Sequence, residues 1–250
     1  MKIGIMAAMP DEIKTMHHDF VFGNKVSVAK RDFYQGQYKD IELVLVYSKI
    51  GKVAASLTAS ILIDHFQVDE IIFTGLAGAV DENLQRGDIV LANATYQHDY
   101  DARPLAEKIF EIPFSKQRIF GFSEVSLSIA KQAIQLFLNN LNHYVDLKEL
   151  GRLQVHRPKL YQGIVATGDC FVQNVKRLNN LYPEDFSVLA VEMEGAAVAQ
   201  VCEDFEKPYT LIRIISDKAN GDAQASLLEF SEKLASHYAS GIVQEWLKLK

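Results

Sequence analysis

After residue 50 the chain alternates short β-prone runs with longer segments of helical periodicity. That alternation restricts the fold more than any other feature of the sequence. Residues 51–65 place apolar side chains at Val53, Leu57, Ile61 and Leu62, a helical spacing. Residues 70–74 read as a strand ending in Gly75-Leu76-Ala77-Gly78, a small-residue turn. Further strands are expected at 89–92, 161–167, 188–191 and 209–215, with helices at 124–140, from 195 to Cys202, and at 228–247. Ahead of residue 50, 2–8 reads as a buried first strand and Pro10 opens a helix, where its missing N–H costs little. Runs at 26–29, 33–37 and 41–47 suggest a meander. The fold class is therefore α/β, with a substantially parallel central sheet flanked by helices. No linker, repeat or low-complexity tract interrupts it, so residues 1–250 are expected to form a single domain.

Composition narrows the function. An apolar share of 48% supplies a sizeable core and rules out disorder for the chain as a whole. With 26 basic against 32 acidic residues the net charge is −6, which disfavours a nucleic-acid partner. The apolar runs are strand-sized, so no membrane association is expected. Nothing near Met1 resembles a secretory signal, because Pro10, Asp11 and Glu12 cut the apolar stretch short; the cytoplasm is the expected location. Cys170 and Cys202 make neither a disulfide framework nor a metal clip and read as small core residues.

In open α/β sheets ligands bind beyond the carboxyl ends of strands. Here those ends carry Glu12, the 75–78 segment, Phe171, Glu192 and Glu194, and Ser216-Asp217, which would converge on one cleft. Each has a plainer explanation. Glu12 suits a first helical turn, and Ser216-Asp217 a helix cap. Glu192 and Glu194 are harder to dismiss, because a helix entering the core rarely spends two carboxylates without partners. Arg213, inside the apolar run 211–215, is a charge in a buried-looking strand and is expected to pair with one of those glutamates. His98, Asp99 and Asp101 have a weak metal-like flavour that a solvated turn explains better, so no metal is expected. Neither a dinucleotide fingerprint nor a phosphate-cradling glycine loop occurs, and no cofactor is expected.

The combination resembles the 5′-methylthioadenosine/S-adenosylhomocysteine nucleosidases of the nucleoside phosphorylase superfamily, nearly end to end. The resemblance runs through Ala8-Met9-Pro10-Asp11-Glu12, Ser48-Lys49-Ile50-Gly51-Lys52-Val53, Thr74-Gly75-Leu76-Ala77-Gly78 and His98-Asp99-Tyr100-Asp101. It continues through Gly168-Asp169-Cys170-Phe171-Val172, Val191-Glu192-Met193-Glu194 and Arg213-Ile214-Ile215-Ser216-Asp217. It implies a single nucleoside phosphorylase-like domain, built on a central mixed β-sheet flanked by helices, that hydrolyses the N-glycosidic bond of 5′-substituted adenine nucleosides. Asp217 would protonate adenine N7, with Ser216 orienting it, and Glu12 would activate the attacking water, helped by Arg213 and Glu194. Glu194 would also bind the ribose hydroxyls, beside Glu192. Met9 and Met193 would pack on the sugar, Phe171 would stack on the purine, and Ile50, Ala77, Gly78 and Val172 would complete substrate recognition.

Phosphorylases of the superfamily hold a phosphate dianion with arginines near the first turn and before the 75–78 segment. Residues 9–14 and 71–75 contain none, and an ionised Glu12 would repel phosphate, so hydrolysis is expected. The chain departs from the family's pattern at Lys49, where Gly is common, at Leu76, where Ser is usual, and at Leu227, where a Phe usually covers the 5′ group. The 101–122 stretch departs too. The 5′ substituent is therefore open, and the alternatives are hydrolysis of another adenine nucleoside such as aminodeoxyfutalosine, or a catalytically inactive nucleoside-binding relative. Residues 101–122 carry Pro104, Ile109, Phe110, Ile112, Pro113, Phe114, Ile119, Phe120 and Phe122 without regular period. Such an apolar loop is expected to build a homodimer with shared active sites; the plainer alternative is a loop folded over its own core.

Overall fold

The computed structural model describes residues 1–173, 187–219 and 223–250. Ten strands form one sheet: β1 (Lys2–Ala7), β2 (Val21–Val28), β3 (Arg31–Tyr38), β4 (Ile41–Tyr47), β5 (Glu70–Ala79), β6 (Ile89–Gln97), β7 (Phe120–Gly121), β8 (Leu160–Thr167), β9 (Val188–Glu192) and β10 (Tyr209–Asp217). The described helices are α1 (Pro10–Ile13), α2 (Met16–Asp19), α3 (Lys52–Asp64), α4 (Glu124–Asn139), α5 (Leu141–Tyr144), α6 (Leu147–Arg152), α7 (Gly195–Asp204), α8 (Ala223–Phe230) and α9 (Ser236–Lys248).

The sheet closes on itself. β5 pairs with β10, β10 with β6, β6 with β8, β8 with β9, and β9 again with β5. From this ring β1, β4, β3 and β2 extend as a wing. The sheet is mixed, as the family resemblance implies, and the substantially parallel reading of the strand–helix alternation holds only within two parallel sets that oppose each other. β1, β4, β5 and β10 run one way; β6 and β8 are parallel to β9, which meets β5 antiparallel at Gly78↔Val191 and Ala79↔Ala190. Because β5 and β9 touch only through their last residues, the carboxyl ends of both sets face one another at that junction. The ligand-binding position is therefore walled from two sides.

Alternation along the central strands explains why they are apolar throughout. Ile3, Ile5 and Ala7 of β1 and Ile212 and Ile214 of β10 enter the core packed by α4 and α9. Met6, Leu211 and Ile215 enter the second core under α3 and α7. Strands covered on both faces lose the polar half of the period-two pattern.

Several expectations change on meeting the structure. Gly75–Gly78 is not a turn: β5 continues through it, paired to Arg213–Asp217 of β10. Ser216 and Asp217 likewise belong to a strand, β10. The closing helix is three pieces, α8, a π-turn at Ser231–Ala235, and α9. Cys202 is buried as expected and its thiol is pushed up to about 12 by burial, but Cys170 is exposed. Much of the 101–122 stretch packs inward: Phe110 lies against Tyr96 with ring centroids 5.2 Å apart, Phe120 joins the second core, and Ile109 and Ile119 are partly buried. Leu105 and Phe114 stay exposed.

Candidate active site

One pocket lies at the β5–β9 junction, and it gathers nearly every residue singled out from the sequence. Met9, Glu12, Ile50, Ala77, Gly78, Phe171, Val172, Glu192, Met193, Glu194, Arg213 and Asp217 line it, together with Leu76 and Leu227. Ser216 is not in the lining; its hydroxyl donates to Asp217 Oδ2 at 2.7 Å from behind.

Glu12 both sits in the first turn of α1 and lines the pocket. It is the third residue of α1, and its Oε2 accepts from the amides of Ala8 (2.8 Å) and Met9 (2.7 Å), as an N-terminal capping carboxylate does. Its Oε1 reaches across to the Leu76 amide at 3.0 Å. Burial raises its pKa above the ordinary range, opposed by those amides and by Arg213. A carboxyl so placed is a stronger base than one in water.

Arg213 and Glu192 form a buried pair, with Nη2 and Nε donating to Oε2 at 2.6 and 3.2 Å. Glu192 also accepts from the Gly195 amide at 2.8 Å, from the Glu194 amide at 3.1 Å and from Thr167 Oγ1. Its lone pairs are spent inside the protein, so it anchors Arg213 and the start of α7. The guanidinium lies 4.2 Å from the centroid of the Phe73 ring. Glu194 differs: Oε1 accepts from the Gly51 amide at 2.8 Å, and Oε2 stands 4.0 Å from Arg213 Nη2. Burial and the nearby Glu192 charge push its pKa up to about 8. Glu194 is thus the carboxyl best placed to meet a diol.

Asp217 lies at the end of β10. Oδ2 takes the Ser216 hydroxyl and Oδ1 the Ala219 amide at 2.8 Å. Burial raises its pKa, opposed by both hydrogen bonds and by Arg86. A carboxyl kept protonated further toward neutrality suits an acid. The glycines of β5 are required by close approach. A Cβ at Gly75 would stand 3.1 Å from both Arg213 Nη1 and Glu12 Oε1, and one at Gly78 would stand 3.1 Å from Asp217 Oδ1.

His98, Asp99 and Asp101 are not brought together as ligands. Asp99 accepts from Lys52 Nζ (2.6 Å) and the Asp169 amide (2.8 Å), and Asp101 pairs with Arg103. Neither nitrogen of the buried His98 ring has a partner among the described residues. No cluster of three or more potential metal-binding side chains occurs among the described residues. Sequence reasoning missed the supporting groups, Thr167 and the Gly51 amide. Thr167 was detectable as a polar residue ending a strand; the amide was not, because no side chain announces it.

A closed mixed ring whose strand ends carry buried acids around one pocket defines a class, and comparison agrees. The chain belongs to the phosphorylase superfamily, whose family model matches residues 2–248. A curated 5′-methylthioadenosine/S-adenosylhomocysteine nucleosidase of Staphylococcus aureus is 33% identical over 233 residues, 93% of each chain. Among solved structures, a Helicobacter pylori mutant nucleosidase of this kind, with 5′-methylthioadenosine in its active site, superposes with a TM-score of 0.83 at 31% identity. That match covers 100% of this chain and 99% of the other. A Helicobacter pylori futalosine hydrolase is equally similar, with a TM-score of 0.83, 31% identity, and coverage of 100% and 98%.

Proposed function

We propose that the protein hydrolyses the N-glycosidic bond of 5′-substituted adenine nucleosides, 5′-methylthioadenosine and S-adenosylhomocysteine among them, releasing adenine and a 5-substituted ribose. The observation that carries the reading is Glu12, a buried carboxyl in the same pocket as Asp217 but held by a different strand end. In the reaction, Glu12 removes a proton from water as its oxygen bonds to the anomeric carbon. The electron pair of the breaking C1′–N9 bond passes into the purine, and Asp217 delivers a proton to N7. Arg213, fixed by Glu192, helps hold the water, and Glu194 accepts hydrogen bonds from the ribose hydroxyls. Phe171 stacks on the purine, while Met9 and Met193 pack on the sugar.

Hydrolysis is favoured over phosphorolysis by charge. Among the described residues lining the pocket, the cation is Arg213, and Glu192 already engages it. A phosphate dianion would meet the Glu12 carboxyl, with Arg213 already engaged by Glu192. Leu76 and Leu227 make the remaining wall apolar, which suits an alkylthio substituent. The similarity to a futalosine hydrolase supports a second reading, action on an aminodeoxyfutalosine-type adenine nucleoside. An inactive binding relative is disfavoured, because Glu12, Glu194 and Asp217 are all present at the pocket.

We place the enzyme in the cytoplasm as a homodimer. Among the described residues no helix is long and apolar enough to cross a membrane. Val53 and Leu57 lie one turn apart on α3, both exposed, beside exposed Ile50 of the pocket lining. Such a patch supports association next to the site. The test is product analysis over a panel of adenine nucleosides. Adenine release from methylthioadenosine is expected, and release from aminodeoxyfutalosine alone would favour the second reading. Sedimentation at micromolar concentration should show twice the chain mass.

A further inference from the structure

Arg86 stands outside the pocket, in the turn between β5 and β6, yet its guanidinium reaches the peptide units that precede two pocket residues. Nε donates to the Ser216 carbonyl at 3.1 Å, the carbonyl that joins Ser216 to Asp217. Nη2 donates to the Ser226 carbonyl at 2.8 Å, the carbonyl that joins Ser226 to Leu227, and to Glu229 Oε2 at 3.2 Å. Nη1 reaches the Leu153 carbonyl at 3.3 Å, and the cation lies 5.9 Å from the Phe230 ring centroid.

The turn that carries Arg86 is itself fixed. Asp88 accepts the amides of Gln85 and Lys159, each at 2.8 Å, and the Gly87 amide donates to the Ile215 carbonyl at 2.8 Å. Lys218 adds a second tie, donating to the carbonyls of Glu82 and Leu84. A planar guanidinium has five donors in a rigid fork, so one side chain holds two carbonyls at a separation fixed by the plane, where a lysine ammonium offers three donors on a flexible stem.

We propose that Arg86 is a positioning residue that holds Asp217 and Leu227 in register, and thereby sets the length of 5′ substituent the site accepts. This rests on the functional reading above for the roles of Asp217 and Leu227. Acting through both peptide units, Arg86 couples the acid at the purine to the wall beside the 5′ group. A change there moves both.

The test compares Arg86→Met and Arg86→Lys with the unaltered protein. Arg86→Met should lose about 10- to 100-fold in kcat/KM on methylthioadenosine, the scale of a small misplacement of reacting groups. Loss on 5′-deoxyadenosine, which has less to touch Leu227, should be about tenfold smaller. KM should rise mainly for methylthioadenosine, whereas kcat should fall for both. Arg86→Lys should recover part of kcat but little of the discrimination between substrates. Amide hydrogen exchange should rise together at 217–219 and 223–230 in Arg86→Met, without a general rise. Unchanged exchange at those segments, a general rise throughout the molecule, or equal losses on both substrates would overturn the inference. If the unaltered protein releases no adenine, the functional reading fails instead, and the exchange measurement still decides whether Arg86 holds the two segments.

Discussion

Among the polar groups of the pocket, Glu12, Glu194 and Arg213 are each held by hydrogen bonds to the backbone or to a buried partner. Its apolar side chains, Leu76, Leu227, Ile50 and Phe171, are held by no such bonds, with Ile50 55% and Phe171 43% exposed. A carboxylate gripped by several amides has its place dictated by the strands and helix starts that carry those amides. An apolar wall is set by packing alone, and its residues can be exchanged at modest cost. The reaction and the choice of substrate are thus written in different parts of the structure.

The largest effects should come from the acid–base pair. Asp217→Asn and Glu12→Gln should each lower kcat by about 10²–10⁴-fold while much substrate binding survives, since an amide can neither give nor take the required proton. Steady-state kinetics beside ligand titration separate the two quantities, and wild-type turnover in either variant would remove that residue from the mechanism. Arg213→Met should destabilise the fold by about 3–5 kcal/mol in chemical denaturation, because Glu192 would remain buried and unpaired. Gly75→Ala should cut activity about 10-fold or more by pressing on Arg213 and Glu12 together, with a much smaller change in stability.

The apolar side chains should respond more gently. Leu227→Ala should lower kcat/KM for methylthioadenosine by about 10-fold and leave 5′-deoxyadenosine nearly unchanged. Equal losses on the two substrates would dissolve the division between the polar and apolar groups. The smallest effect concerns pH. Glu194 titrates in the fold at about 8, above its ordinary 4.5, so its proton is held more tightly in the folded chain. Its contribution to stability is complete below 4.5 and is lost as pH rises through about 8. Glu194→Gln should therefore flatten the fall in melting temperature between about pH 5 and about pH 9.

The positions of the central strands along the chain and the acids at their ends were legible in the sequence because polar residues ending apolar runs leave a strong local signature. Arg213 announced a buried partner by standing among Leu211, Ile212, Ile214 and Ile215, and Glu192 is that partner. The closure of the sheet was not legible, since the antiparallel meeting of β5 and β9 involves only Gly78, Ala79, Ala190 and Val191, small or β-branched residues that fit a parallel strand equally well. Glycines at 75 and 78 suggested a turn. In the structure they are strand residues whose missing side chains make room for Arg213, Glu12 and Asp217. The apolar 101–122 stretch was ambiguous between association and self-burial because composition reports neither direction nor contact; Phe110 faces inward and Phe114 outward. Arg86 carried no signal at all, because its partners are backbone carbonyls far along the chain.

The central claim is that water, activated by Glu12, attacks the anomeric carbon. It is tested most directly by running the reaction on methylthioadenosine in heavy-oxygen water with inorganic phosphate present. The account predicts free adenine, one heavy oxygen on the anomeric carbon of the released sugar, and a rate indifferent to phosphate. A ribose 1-phosphate product, or a rate that rises with phosphate concentration, would contradict it.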